Sequence, residues 1–129
     1  MSVTATELAR IAFAAADAKK AEDIVLLDLS GMSDVCDYFL ILSATNARQL
    51  DAIVDEIEEK VKANAGMHAL GREGRAGASW VLLDYGNVVV HAFLPETRDF
   101  YRLERLWGDA PRVDTTAWSL APVAAEAQE

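Results

Sequence analysis

Residues 80–93 constrain the fold most. Trp80–Tyr85 and Val88–Phe93 are two β-rich runs separated only by Gly86-Asn87. A two-residue loop of that composition joins antiparallel strands and fixes their register. Asp84 then faces Val89, Leu82 faces His91 and Trp80 faces Phe93. Strand side chains alternate, so these six share one face. Val81, Leu83, Tyr85, Val88, Val90 and Ala92 take the other, which is almost wholly apolar and calls for a cover of helices. The first face is mixed. A buried face does not ordinarily carry Asp84 and His91, and a solvated one does not ordinarily carry Trp80 and Phe93. That mixture suits a protein-binding patch. The plainer alternative is an Asp84–His91 diagonal pair that satisfies the sheet surface beneath a loop or tail.

The remaining segments supply the helices and further strands. Thr4–Lys20 reads as a helix. Thr4 and Glu7 have capping-box spacing, Leu8, Ile11, Ala12 and Ala15 fall on one face, and Lys19 and Lys20 suit the last turn. Ile24–Leu29 and Tyr38–Leu42 are apolar runs of strand length. Asn46 and Gln49 again have capping-box spacing, and they open a helix running to about Ala63. Leu50, Ile53, Ile57 and Val61 form its buried stripe, and Asp51, Asp55 and Glu58 form an acidic one. Residues 66–77 hold four of the seven glycines and read as a mobile loop, with a short strand near Met67–Leu70. Pro95 closes the hairpin, and Thr97 caps a last helix over Arg98–Trp107. The order is α, β, β, α, β, β, β, α. It predicts an α/β sandwich with a mixed sheet and helices mainly on one face.

Composition limits what such a domain can do. The 129 residues include 12 basic and 21 acidic side chains, a net charge of −9, with 52% apolar and 26% charged residues. One domain over residues 1–112, followed by a flexible tail over residues 113–129, accounts for the length. No apolar run is long enough to span a bilayer. Residues 1–20 lack the basic start and long apolar region of a secretory signal. The single cysteine, Cys36, makes no internal disulfide, which fits a reducing cytoplasm. An acidic chain is poorly suited to general phosphate-backbone binding and well suited to a basic partner.

Catalytic patterns are sparse. His68 and His91 have no metal-ligand spacing. Cys36 lies beside a strand, where a lone cysteine is usually core. Asp34 and Asp37 raise the alternative of a nucleotidyltransferase-like enzyme, which holds Mg²⁺ between two carboxylates. Their Asp-x-x-Asp spacing sends the pair to opposite faces of a strand, and no Gly-Ser loop precedes them. The Gly71–Gly77 loop lacks the Lys-Ser/Thr ending of a P-loop. Arg98, Arg102 and Arg105 form a helical basic stripe. It either meets RNA phosphates at the edge of a larger assembly or pairs with acids such as Glu104 or the Asp51/Asp55/Glu58 stripe. No metal or other cofactor is implied.

Three ordered blocks carry a family resemblance. The first is Asp37-Tyr38-Phe39-Leu40-Ile41 followed by Asn46-x-x-Gln49. The second runs from Trp80 to His91. The third is Glu96-x-Arg98-x-Phe100-Tyr101-x-Leu103-Glu104-x-Leu106-Trp107. Over about residues 5–108 the chain resembles the ribosomal silencing factors, the Iojap-like family. It departs from them at Ser43-Ala44 before the cap Asn46, and at Asn87, where the family usually has Asp. The resemblance implies a nucleotidyltransferase-like α/β sandwich without the catalytic signature, and no enzymatic activity. It implies binding to large-subunit ribosomal protein fourteen on the intersubunit face. Bound there, the protein would block joining of the small subunit and lower translation when nutrients are short. The family is also linked to late assembly of the large subunit. By position in the motif, Trp80, Asp84, His91, Arg98, Tyr101 and Trp107 are the expected contact residues. Ribosomal RNA is a possible peripheral contact of the arginine stripe, and the apolar part of the mixed face also suits a second copy of the chain.

Overall fold

The chain enters its first helix through a complete capping box. Glu7 N donates to Thr4 Oγ1 at 3.1 Å, and Thr4 N donates to Glu7 Oε1 at 3.0 Å. In the computed structural model, which describes residues 4–32, 36–74, 77–102, 105, 108 and 110–115, this opens α1 (Ala5–Ala18). There follow β1 (Glu22–Asp28), β2 (Tyr38–Ser43), α2 (Ala47–Ala65), β3 (Gly71–Glu73), β4 (Trp80–Asp84), β5 (Val88–Phe93) and α3 (Pro95–Tyr101). The predicted order of elements is observed.

Most strand and helix ends shift by one or two residues from the sequence reading, and three elements differ in ways that matter. Helix α1 stops at Ala18, because Lys19 is its C-cap and Lys20 turns into the left-handed region at φ 63°. Strand β3 lies at Gly71–Glu73, just after the Met67–Leu70 stretch expected to hold it. Helix α3 begins at Pro95 and ends at Tyr101, with no side-chain cap from Thr97. Proline suits the first helical position, since its fixed φ is already helical and its missing N–H would have had no partner there.

One mixed sheet runs in the order β1-β2-β5-β4-β3. Helix α2 carries the chain from β2 to the far edge, and β3, β4 and β5 return by antiparallel steps. Strand β5 then settles beside β2 in parallel, with Leu40 opposite Val90 and Ile41 opposite His91. Strands β1 and β2 pair antiparallel, with a bulge between Glu22 and Val25 where Asp23 takes φ 49°.

This register sorts the apolar residues into two layers. Leu26, Leu40, Leu42, Val81, Leu83, Val88, Val90 and Ala92 share the face packed under α1 and α2. The alanines Ala9, Ala12 and Ala16 of α1 are 0% exposed and allow the two helices to approach closely. Asn46 Oδ1 accepts from Gln49 N at 2.9 Å. The Gln49 side chain then accepts from Thr45 N and donates to the carbonyls of Lys19 and Lys20, which locks the start of α2 to the end of α1. A second, smaller cluster of Leu27, Leu29, Ile41, Phe93 and Ala110 lies on the opposite face. Ala110, beyond α3, packs into it. Asp28 N donates to Pro111 O at 2.8 Å and Val113 N to Leu26 O at 2.8 Å, so Pro111–Val113 lies along the β1 edge. The tail expected over 113–129 falls outside the described residues from 116 onward.

Candidate partner-docking face

The hairpin has the predicted register, with Trp80 opposite Phe93, Leu82 opposite His91 and Asp84 opposite Val89. Gly86 takes φ 90°, and Tyr85 N donates to Val88 O at 2.9 Å. A positive φ at the first turn residue alone is the sign pattern of a type II′ turn, whose twist matches the strands it joins. The apolar face of the hairpin is buried as expected: Val81, Leu83, Val88, Val90 and Ala92 are all 0% exposed, and Tyr85 is 3% exposed.

The mixed face is neither fully open nor fully covered. Phe93 is 0% and His91 5% exposed, whereas Trp80, Leu82, Asp84 and Val89 are half-buried. Parallel pairing with β2 adds Phe39, Ile41 and Ser43 to the same face. Phe39 is half-buried and meets His91 edge to face, with ring centroids 4.6 Å apart. Trp80 stacks on Phe93 at 5.0 Å and donates from Nε1 to His91 Nδ1 at 3.3 Å. The result is an aromatic platform of Phe39, Trp80, His91 and Phe93, flanked by Leu82, Val89 and Asp84. Burial lowers the His91 pKa to about 4, so the ring is neutral near neutral pH.

Each predicted contact residue has a definite place, with two exceptions. Asp84 Oδ1 accepts from Gly86 N at 2.8 Å, so the carboxylate is oriented by the turn. The alternative of an Asp84–His91 pair is not what forms; His91 bonds Trp80 instead. Arg98 is 8% exposed, and its Nη1 donates to Ser43 Oγ at 2.7 Å. It therefore fastens α3 to the mixed side of the sheet and is not an exposed contact. Tyr101 ends α3, and its ring falls outside the described residues, as does all of Trp107. Phe39 is the member that the sequence reading missed. The run Tyr38–Leu42 is apolar throughout, so no alternation marks its faces, and only pairing with β5 decides them.

The acidic stripe of α2 does not meet the arginines of α3. Arg72 of β3 takes it, at 2.7 Å from Glu58 and 3.5 Å from Asp55. Asp51 Oδ2 accepts from Gly77 N at 3.2 Å. The stripe thus braces the β3 edge and the loop after it. Nor do the three arginines form a straight helical stripe, because α3 ends at Tyr101 and Arg102 turns to φ 49°.

Of the two acids weighed for catalysis, Asp34 falls outside the described residues. Asp37 is half-buried at the mouth of β2, where its N–H donates to Asn87 O at 2.9 Å. Cys36 is buried, and its thiol donates to Tyr38 O at 3.0 Å; desolvation raises its pKa. His68 is exposed. Among the described residues, no group of three or more His, Cys, Asp or Glu side chains is placed to hold a metal ion. No helix among them is long and apolar enough to cross a membrane.

Comparison with known proteins identifies the family. The model of the family described as "Ribosomal silencing factor during starvation" matches residues 2–129. The chain is 49% identical to the ribosomal silencing factor of Bacillus subtilis over 105 residues, covering 81% of this chain and 88% of that one. A mouse protein named "Mitochondrial assembly of ribosomal large subunit protein 1" is 34% identical over 96 residues, covering 69% of this chain and 40% of that one. The crystal structure of a Chromobacterium violaceum protein superposes with a TM-score of 0.78 at 34% identity, covering 82% of this chain and 88% of that one. With three motif blocks, the mixed sheet and these matches in agreement, the chain belongs to the ribosomal silencing factor family.

Proposed function

We propose that this protein docks on the large ribosomal subunit through ribosomal protein fourteen at the intersubunit face. Held there in the cytoplasm, it sterically prevents the small subunit from joining and represses translation when nutrients are limiting. The observation that carries this reading is the half-covered face of β2, β4 and β5. Phe39, Trp80, Leu82 and Val89 offer apolar area, and Asp84 offers an oriented carboxylate at its rim. Family membership and the mouse relative's name support a ribosomal partner. The mechanism requires no chemistry from the protein. A rigid body on a surface that subunit joining needs is enough, so affinity has to come from a few anchors and from charge. A net charge of −9 favours a basic protein as the occupant. Trp80 is the central anchor, Asp84 accepts from Lys or Arg, and His91 supports Trp80 from beneath. Arg98 acts by holding α3 in place. Tyr101 and Trp107, set by the third motif block, complete the contact region.

Sedimentation with purified subunits tests the proposal. The wild-type protein should migrate with large subunits and reduce their joining to small ones. Asp84→Lys should weaken both by a few kcal/mol while leaving the protein folded, since the native carboxylate makes one turn hydrogen bond. Trp80→Ala should do the same with some loss of stability, because the ring also stacks on Phe93. Failure of the wild type to migrate with large subunits would sink the proposal.

A further inference from the structure

Resting on that docking reading, we infer that the arginines around the end of α3 form a second docking surface, for the phosphodiester backbone of RNA. The local chain path creates it. Arg102 N donates to Arg98 O at 2.8 Å, Arg105 N to Arg102 O at 3.0 Å and Gly108 N to Arg105 O at 3.1 Å. With Arg102 in the left-handed region, α3 is broken before Arg105. Arg98, Arg102 and Arg105 consequently line one concavity of about 340 Å³ together with Asp99. A second concavity of about 450 Å³ shares Arg98 and Asp99 and adds Arg112, Ser43 and Pro95.

The four guanidinium groups are not equivalent. Arg98 is the buried strut bonded to Ser43. Arg102, Arg105 and Arg112 are exposed. Arg102 Nε donates to Asp99 O at 2.9 Å, which orients the group and leaves both Nη amino groups outside that bond. Among the described residues no ion pair engages Arg102, Arg105 or Arg112, in contrast to Arg72, which two carboxylates hold. A guanidinium fork matches phosphate oxygens two at a time, and several forks around a concave surface suit a run of phosphates. The rest of the molecule repels such a backbone, since the net charge is −9. RNA contact is therefore confined to this corner, and the protein-docking face stays selective for a basic protein. A protein docked on a large ribosomal subunit stands beside RNA, so both surfaces can be engaged together.

The test compares two partners across a salt series: isolated ribosomal protein fourteen and whole large subunits. Arg102→Glu with Arg105→Glu should leave binding to the isolated protein unchanged. Binding to whole subunits should weaken about tenfold at low salt, and the slope of log K against log salt should become shallower by about two. The neutral pair Arg102→Gln with Arg105→Gln should shift both in the same direction by less. Equal weakening toward both partners would assign these arginines to the protein contact and overturn the inference. So would an unchanged salt slope with whole subunits. Absence of wild-type binding to either partner would instead remove the docking reading, and this one with it.

Discussion

The Nδ1 atom of His91 accepts from Trp80, so the neutral ring carries its hydrogen on Nε2, which is buried without a partner. An orphaned buried donor is already unfavourable, and adding a charge to the same ring is worse. The pKa accordingly falls from the ordinary 6.5 to about 4. Its consequence for stability has a definite sign. Between pH 6.5 and 4 the unfolded chain binds a proton at His91 that the folded protein refuses, so stability falls as pH drops through that window. The shift corresponds to a loss of up to about 3 kcal/mol. His91→Phe should start somewhat less stable, because Trp80 loses its acceptor. It should then lose less between pH 6.5 and 4 than the wild type. Urea unfolding at a series of pH values measures the difference, and parallel curves would refute the assignment. The residue scale was partly legible beforehand. That His91 shares a face with Trp80 follows from a two-residue loop, but that it bonds Trp80 and not Asp84 depends on rotamers chosen by packing.

At the scale of elements, the β3–β4 edge is the clearest case of local sequence meeting tertiary demand. Gly74 sits at φ 103°, and a Cβ there would lie 2.6 Å from the Trp80 carbonyl oxygen and 3.1 Å from Val81 Cα. Both obstacles are backbone and cannot swing away. Gly74→Ala should therefore destabilise the protein by about 2 kcal/mol, from strain at positive φ and displacement of β4. Amide hydrogen exchange should speed up at Leu70–Glu73, whose hold on the sheet is the short pairing with β4. Unchanged exchange and an unchanged unfolding midpoint would contradict the argument. The glycine cluster in residues 66–77 was visible in the sequence as a loop. Which glycine is irreplaceable was not, because the obstructing carbonyl belongs to another strand. The same holds for Arg72. Its partners Asp55 and Glu58 lie on α2, and only the crossing of α2 over the sheet brings them within reach.

At the scale of the whole molecule, charged groups are used in two ways. Acids on α2 hold Arg72 of β3, while exposed arginines gather around the end of α3, beside Asp23 and Asp99. An overall charge of −9 steers the molecule toward a basic surface from beyond contact distance, and salt screens that attraction. The association rate with isolated ribosomal protein fourteen should fall as ionic strength rises from low to physiological, with a much smaller change in the dissociation rate. Stopped-flow or surface-binding kinetics would check this. A salt-independent association rate would mean that steering by net charge plays no part in docking.

From the sequence alone come the hairpin register, both helix-capping signals, the apolar face that the helices cover, and the family, through three motif blocks. These depend on local chemistry: a turn that admits two residues, caps that satisfy nearby N–H groups, and side-chain alternation along a strand. The tertiary structure decided the rest. Parallel pairing of β2 with β5 placed Phe39, Ile41 and Ser43 on the mixed face, although a run of consecutive apolar residues carries no face preference of its own. Ala110, from beyond α3, joins Leu27, Ile41 and Phe93 in a buried cluster on one part of that face, while Trp80, Leu82 and Val89 stay half-exposed. Long-range pairing is selected by the combined burial of all the strands and helices, and no single segment encodes it.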